Sequence, residues 1–144
     1  SLAHEVFERK IRYALDADLV KIIEDAKKNG SDILFASSSF SIIIEPIAAY
    51  FSIDDIIATE LEFISGISTG RILALPPYKN GKKKRVLDHL KNKGIDPADA
   101  LFFSDHHDDL PLLSVVGKPV AVNPTAKLAR IAAKKGWKII KNDK

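Results

Sequence analysis

The sequence predicts an α/β fold, in which a mostly parallel sheet is covered by helices on both faces. Three observations predict it. Apolar runs of strand length alternate with stretches of helical periodicity, turn residues separate them, and the strand runs are apolar throughout. Continuously apolar strands are typical of parallel sheets that helices cover on both sides. At 144 residues the chain is expected to form a single domain, residues 1–144.

The first half of the chain contains the less regular part of this pattern. Apolar residues at helical spacing predict a first helix, which Gly30 is suited to end. The elements predicted here are a helix over 5–29, a strand over 32–37, a helix that begins at a Ser39 cap, a strand near 56–59 and a hairpin that turns at Ser65-Gly66.

The second half alternates regularly between helices and strands. Asp96-Pro97 is expected to turn the chain, Asp108 to cap the short helix, and Asn123 with Pro124 to open the last helix. The elements predicted here are helices over 82–93, 108–115 and 124–135, and strands over 100–104, 119–122 and 137–140.

Composition excludes several classes of function. Without cysteine the chain has no disulfides and no thiolate metal site. The net charge of +3 comes with lysine clusters that no aromatic residues interleave, which argues against a nucleic-acid partner. No apolar stretch reaches the roughly 20 residues of a membrane span, and the N-terminus lacks the polarity of a secretory signal. A cytoplasmic protein with no membrane partner is therefore expected.

Polar side chains follow two of the predicted strands, where ligands bind in parallel sheets. Ser37, Ser38 and Ser39 end the first, and a serine hydroxyl beside a helix N-terminus makes an anion site. Asp105 ends the second, and with Asp109 it is expected to hold one hard cation such as Mg²⁺. Lysines 82–84 open the helix between them and offer a charge for phosphate. The plain alternatives are helix capping for the serines and a solvated helix start for the lysines.

This ordered set resembles the haloacid dehalogenase-like (HAD) phosphohydrolases, and in particular their phosphoserine-phosphatase-like branch. "FASSSFSIIIEPIAAYFSID" is similar to the branch's second motif, and "SDHHDDLPLLSVVGKPVAVNP" to its metal-binding signature. The resemblance implies a Rossmann-like three-layer α/β/α core, phosphate binding by Ser37 with Ser38, and Mg²⁺ on Asp105 and Asp109. It also implies a catalytic, phosphate-binding lysine at Lys82, although Lys83 fits the apolar spacing as well. The implied activity is Mg²⁺-dependent hydrolysis of a small phosphorylated metabolite.

The family's nucleophile, an aspartate in a DxD pair at the end of an apolar strand, has no convincing match. Asp16 and Asp18 have the right spacing, but the residues before them are charged, and we interpret them as helix caps. The chain is therefore expected to begin inside the cap, with residues 1–18 as a remnant of a cap helix. Alone it is expected to be weakly active or inactive, since no phosphoaspartyl intermediate forms without the nucleophile.

The sequence leaves two other functions open. A catalytically inactive HAD-like binding or interaction module would use the same scaffold without turnover. "SDHHDD" also resembles the signature of the Mn²⁺-dependent phosphoesterases named after Asp-His-His. That family needs further aspartates and histidines at strand ends, and His4 and His89 do not obviously supply them because they sit in helical stretches. Ser104 stands where the HAD family usually has glycine, and His106 and His107 are bulkier than usual. Loss of a central strand would expose strand edges, which predicts a homo-oligomer.

Overall fold

The computed structural model describes residues 17–141, which fall into two compact units divided between Pro76 and Pro77. The predicted single domain and the cap-helix remnant at 1–18 stay predictions. Most of that remnant, including Asp16, lies outside the described residues, and Asp18 lies in the first turn of the first helix. No helix within residues 17–141 is both long and apolar enough to cross a membrane.

The first unit combines a parallel strand pair with an antiparallel hairpin. β1 and β2 run parallel, with Leu34 opposite Asp55, and β3 and β4 run antiparallel. Ser65 (φ 51°) and Gly66 (φ 78°) form the predicted hairpin turn, because two positive φ values match the twist of the strands. The elements are α1 (Ala17–Lys28), β1 (Leu34–Phe40), α2 (Ser41–Tyr50), β2 (Asp55–Thr59), β3 (Leu61–Ile64) and β4 (Ile67–Ile72).

α1 ends as the sequence predicts. Gly30 adopts φ 69°, which costs glycine nothing, and the Ser31 N–H donates to the Ala26 carbonyl oxygen across it at 3.0 Å. Ile23 of α1 is buried against apolar residues that follow α2 and precede β2. The buried cluster is Ile23, Ala48, Phe51 and Ile53, with Val20, Ile33, Phe35, Ile47 and Ile56 packed around it.

The predicted serine cap of α2 is wrong. β1 begins two residues later than predicted and continues through Ser37, Ser38 and Ser39 to Phe40. α2 therefore begins at Ser41, with Phe40 at the cap position and no side-chain hydrogen bond there. Apolar strand propensity at Phe40 prevails over the capping preference of Ser39, so the serines sit at the carboxyl end of the strand.

The second unit is a three-stranded parallel sheet with helices between its strands. The strand order is β5-β6-β7, with Leu101 opposite Lys118 and Ala121 opposite Ile139. Parallel strands and intervening helices confirm the predicted α/β class. The elements are α3 (Asn80–Asn92), β5 (Leu101–Ser104), α4 (Leu110–Leu113), β6 (Lys118–Val122), α5 (Ala126–Lys135) and β7 (Lys138–Ile140), with single 3₁₀ turns over Pro97–Asp99 and His107–Asp109.

Two predicted caps in this unit are wrong. The Asp108 N–H donates to the ring Nδ1 of His106, so the histidine, and not Asp108, caps the 3₁₀ turn. α5 begins at Ala126, and Thr125 caps it by accepting the Leu128 N–H at 3.3 Å. Asn123 instead adopts φ 43°, a left-handed conformation that bends the chain before the helix.

The second unit has a buried core of its own, formed by residues of α4, β6 and α5. α5 packs its buried face, Leu128 and Ala132, against β6 and against α4. Gly117 approaches the backbone so closely that a Cβ there would lie 1.7 Å from the Ala98 carbonyl oxygen, which locks the start of β6 to the 3₁₀ turn before β5. The buried cluster is Leu113, Ala121, Leu128 and Ala132, flanked by Phe102, Leu110, Trp137 and Ile139.

Candidate functional site

The loop after β5 carries the densest group of ionisable residues in the second unit. β5 ends at Ser104, and the chain passes through Asp105 and His106 into the 3₁₀ turn His107–Asp109. The Thr125 N–H donates to the Asp105 carbonyl oxygen at 2.9 Å. This bond ties the loop to the residue that caps α5, so its side chains are held on rigid elements.

A buried ion pair joins this loop to α3. Lys82 lies in the first turn of α3, and its Nζ is 2.6 Å from Oδ1 of Asp109. The side chains are only 10% and 12% exposed. An ammonium at a helix N-terminus opposes the helix dipole, and burial adds a desolvation cost. The protein offsets this cost with the Asp109 carboxylate.

Ser104 is a second hydrogen-bond partner of Asp109. Its hydroxyl donates to Oδ2 of Asp109 at 2.6 Å and accepts the His106 N–H at 3.2 Å. Ser104 stands where the resemblance to the HAD family leads one to expect glycine. In the structure it is buried, and it fastens the loop to Asp109.

The carboxylates predicted to bind a cation have different environments. Asp105 is exposed, so water or a hydrated ion can reach it. Both oxygens of Asp109 already accept from Lys82 and Ser104. The carboxylate chemistry of this pair fits Mg²⁺, but direct binding by Asp109 requires that Lys82 or Ser104 share its oxygen with the ion. Asp105 is the more exposed of the two carboxylates.

The three adjacent lysines at the start of α3 have different environments in the structure. Lys82 is buried against Asp109, whereas Lys84 forms an exposed pair with Asp88, one turn further along α3. Lys83 is half-buried. Lys82 and Lys83 were both candidates for the phosphate-binding lysine, and Lys82 is the one that contacts Asp109 in the loop after β5.

The predicted phosphate-binding serines lie at the end of β1 in the first unit. Ser37 is half-buried, and its Oγ accepts the Ser39 N–H at 3.1 Å. Ser38 is exposed, and its carbonyl oxygen accepts from the buried Thr59 hydroxyl at 2.7 Å. Thr59 was missed by the sequence analysis, because its partner depends on the β1–β2 pairing and not on a local motif.

Two histidines beside Asp109 also have defined partners. The rings of His106 and His107 stack with centroids 4.1 Å apart, and both lie near the Asp108 carboxylate. His107 Nδ1 is 3.2 Å from the Thr125 hydroxyl. His89, which the alternative phosphoesterase reading would need as a further ligand, lies in α3, and His4 lies outside the described residues.

The chain is similar in sequence to a hydrolase family and to two phosphatases. Residues 2–114 match the model of the haloacid dehalogenase-like hydrolases. A histidinol-phosphatase from Neisseria meningitidis serogroup C (strain 8013) is 37% identical over 123 residues, covering 83% of this chain and 55% of the relative. A phosphoserine phosphatase from Mycobacterium tuberculosis (strain ATCC 25618 / H37Rv) is 33% identical over 93 residues, 65% of this chain and 30% of the relative.

Solved structures share the fold. A protein with unknown function from Bordetella pertussis Tohama I superposes with a TM-score of 0.88 at 33% identity, covering 96% of this chain and 63% of that one. A substrate-bound phosphoserine phosphatase superposes with a TM-score of 0.68 at 21% identity, covering 83% of this chain and 55% of that one. The chain thus spans about half the length of the curated relatives that match it over most of its own length.

Proposed function

The chain belongs to the haloacid dehalogenase-like hydrolase family, and on this premise we propose that it is a member of the phosphoserine-phosphatase-like branch that binds a phosphomonoester together with Mg²⁺. Within the second unit, Lys82 would hold phosphate oxygens and Asp105 would bind the cation; within the first unit, Ser37 and Ser38 would offer hydroxyl groups to a phosphate. The substrate is a small phosphorylated metabolite. The reaction is hydrolysis of its phosphate ester, with a nucleophile that we do not find among the described residues.

The buried Lys82–Asp109 pair is the observation that carries this proposal. An ammonium has three donors, and the bond to Asp109 uses one of them. Its position is fixed, so it can stabilise a developing negative charge without reorganisation. A purely structural ion pair would gain little here, because replacing such a pair by apolar residues is often neutral or stabilising.

The start of α2 supports a phosphate site beside Ser37 and Ser38. No side chain caps this helix, since Phe40 occupies the cap position. The N–H groups of its first turn therefore lack a side-chain acceptor, and together with serine hydroxyls they suit an anion. A fixed hydroxyl at Ser37, which already accepts the Ser39 N–H, has its own proton left to donate.

Mg²⁺ would be held by the exposed Asp105, with the charge of Asp109 beside it in the loop. In our proposal Asp109 acts chiefly by positioning Lys82, and contributes to cation binding through Oδ1 or Oδ2 only where its present partners share that atom. When bound, the ion neutralises phosphate charge and acts as a Lewis acid. Asp105 would hold the ion in the loop that follows β5.

Phosphate binding tests this proposal without requiring turnover. We would titrate the protein with inorganic phosphate in the presence of Mg²⁺ and follow binding by ³¹P NMR and calorimetry. Lys82→Met and Ser37→Ala are expected to weaken binding at least about tenfold, since each removes a charge-assisted hydrogen bond. The matched controls Lys84→Met and Ser31→Ala should bind as the parent protein does. Equal affinity in all four variants would contradict the proposal.

Hydrolysis of a chromogenic phosphate ester tests whether this chain by itself turns over a substrate. We expect weak or no turnover by this chain, because no aspartate among residues 17–141 combines the spacing and the apolar strand of the family's nucleophile. Turnover that Asp16→Asn abolishes would show that the helix-cap interpretation of Asp16 is wrong. Phosphate binding with no turnover is the result expected of a binding module.

Self-association stays a prediction of this proposal. Apolar side chains of the β3–β4 hairpin are unusually open, with Phe63 51%, Ile64 62% and Ile67 72% exposed. Such a patch favours contact with a second apolar surface. Light scattering coupled to gel filtration should show a species heavier than one chain, and Ile67→Lys should shift it towards the monomer. A monomer at high concentration would contradict the prediction.

A further inference from the structure

The proposed phosphatase site leaves unused three consecutive residues of the same loop, His106, His107 and Asp108. One ligand atom from each lies within 4.8 Å of the others, and all three residues are half-buried. Two imidazoles and a carboxylate form a donor set that borderline ions such as Zn²⁺ prefer, whereas Mg²⁺ prefers oxygen alone. The chemistry of this triplet therefore differs from that of Asp105.

The contacts of His107 orient it for metal binding. Its Nδ1 lies 3.2 Å from the Thr125 hydroxyl, which also accepts the Leu128 N–H. When Nδ1–H donates to that hydroxyl, the lone pair is on Nε2, and Nε2 lies 3.8 Å from Oδ1 of Asp108. A histidine ligand that donates its other ring N–H to a fixed acceptor is the usual arrangement in metal sites.

His106 presents a mismatch that a cation would resolve. Its Nδ1 accepts the Asp108 N–H at 3.0 Å. The same nitrogen lies 3.3 Å from Oδ2 of Asp108, so two lone pairs face each other. A metal ion between the two atoms would replace this repulsion by two coordinate bonds, and the Asp108 N–H would then exchange His106 for water as its acceptor.

One of the distances between ligand atoms matches tetrahedral coordination. Zn–N and Zn–O bonds of about 2.0–2.1 Å at a tetrahedral angle place two ligand atoms about 3.3 Å apart. The Nδ1 to Oδ2 distance in the structure has this value, 3.3 Å. His107 Nε2 lies 3.8 Å from the other carboxylate oxygen, Oδ1, and would have to move closer to bind the same ion.

We propose that His106 Nδ1, His107 Nε2 and the Asp108 carboxylate bind one Zn²⁺ ion, or a divalent transition ion of similar softness, with water completing the coordination. The site is separate from the proposed Mg²⁺ ligand Asp105 and goes beyond the proposed hydrolysis. Lys79 competes with the ion, because its Nζ lies 3.9 Å from Oδ1 of Asp108. Thr125 acts as a positioning residue through its contact with His107.

Zn²⁺ titration against a chromophoric chelator, in buffer with excess Mg²⁺, tests the site. We expect one Zn²⁺ per chain in the loop, and at least tenfold weaker binding in His106→Gln and in His107→Gln. His89→Gln and Asp88→Asn, which alter a histidine and an exposed carboxylate of α3, should bind Zn²⁺ as the parent protein does. Unchanged affinity in both loop variants, or an equal loss in His89→Gln, would overturn the proposal. Loss of phosphate binding alone in Asp105→Asn would concern only the proposed function.

Two further measurements keep the proposal testable if a loop variant folds poorly. Long-range ¹H–¹⁵N spectra of the parent protein should show Zn²⁺-induced shifts at His106 Nδ1 and His107 Nε2, and a shift of the Asp108 amide as it loses its acceptor. Shifts confined to His89 would overturn the assignment. Thr125→Val should weaken Zn²⁺ binding about tenfold, and Thr125→Ser should restore it, since the hydroxyl orients the ring. Equal affinity in the two Thr125 variants would show that the hydroxyl has no such role.

Discussion

Replacing Asp109 by asparagine is expected to destabilise the second unit by about 3–5 kcal/mol, because Lys82 then keeps its buried charge without a counter-charge. At an effective dielectric constant of about 20, unit charges 2.6 Å apart attract by roughly 6 kcal/mol before desolvation is counted. Desolvation offsets much of this gain when both partners are present. When one partner is lost the remaining charge keeps its desolvation cost, so the single substitution is severe.

A double-mutant cycle isolates the interaction. Lys82→Met, Asp109→Asn and the double variant would be unfolded in urea, with fluorescence of Trp137 as the signal. This residue is the only tryptophan, and it packs on the core of the second unit. We expect a coupling free energy of about 2–3 kcal/mol, since the side chains are in direct contact and share one network.

The exposed pair Lys84–Asp88 is the matched control in the same helix. Its atoms are 2.8 Å apart, but the side chains are 65% and 59% exposed. Solvent screening limits such a pair to about 0.3–0.5 kcal/mol. If the coupling of Lys82 with Asp109 does not exceed that of the exposed pair, the buried ion pair is not the organising contact of the site.

Three further substitutions test the packing and hydrogen bonds that hold the site. Ser104→Ala removes a hydroxyl that donates to Asp109 and should cost about 1.5–3 kcal/mol in urea unfolding, as expected for a hydrogen bond to a charged group; a loss below 0.5 kcal/mol, the range of neutral surface changes, would contradict this. Gly117→Ala places a Cβ against the Ala98 carbonyl oxygen and should cost about 3 kcal/mol or more, with a melting temperature equal to the parent's as the contrary result. Leu128→Ala empties a fully buried position and should cost about 2–5 kcal/mol by the same assay, whereas retained stability would mean that the core collapses around it.

Much of the element order could be predicted from the sequence, because apolar runs or apolar periodicity mark most of the strands and helices. The hairpin at Ser65-Gly66 and the end of α1 at Gly30 follow from residues that tolerate positive φ. The helix starts were less predictable. Ser39, Asp108 and Asn123 are all good caps by residue type, yet Phe40, His106 and Thr125 occupy the cap positions. Local preference competes there with strand pairing and loop contacts that sequence does not reveal.

The candidate site likewise has features that the sequence predicts and contacts that it does not. Lys82, Asp105 and Asp109 were identified by their order along the chain and by resemblance to a family. The two contacts of Asp109, with Lys82 Nζ and the Ser104 hydroxyl, join residues 27 and 5 positions apart. Whether Lys82 or Lys83 reaches the loop depends on the rotation of α3 about its axis, which apolar spacing fixes only to within one residue.

Mg²⁺-dependent binding of phosphate by Asp105→Asn tests the central claim most directly, since the account makes this exposed carboxylate the principal ligand of the ion. Calorimetry would measure Mg²⁺ affinity, and phosphate affinity at saturating Mg²⁺, for the parent protein, for Asp105→Asn and for the control Asp88→Asn. The account predicts that Asp105→Asn loses both affinities and that Asp88→Asn keeps them. Equal Mg²⁺ and phosphate affinities in the two variants would contradict it.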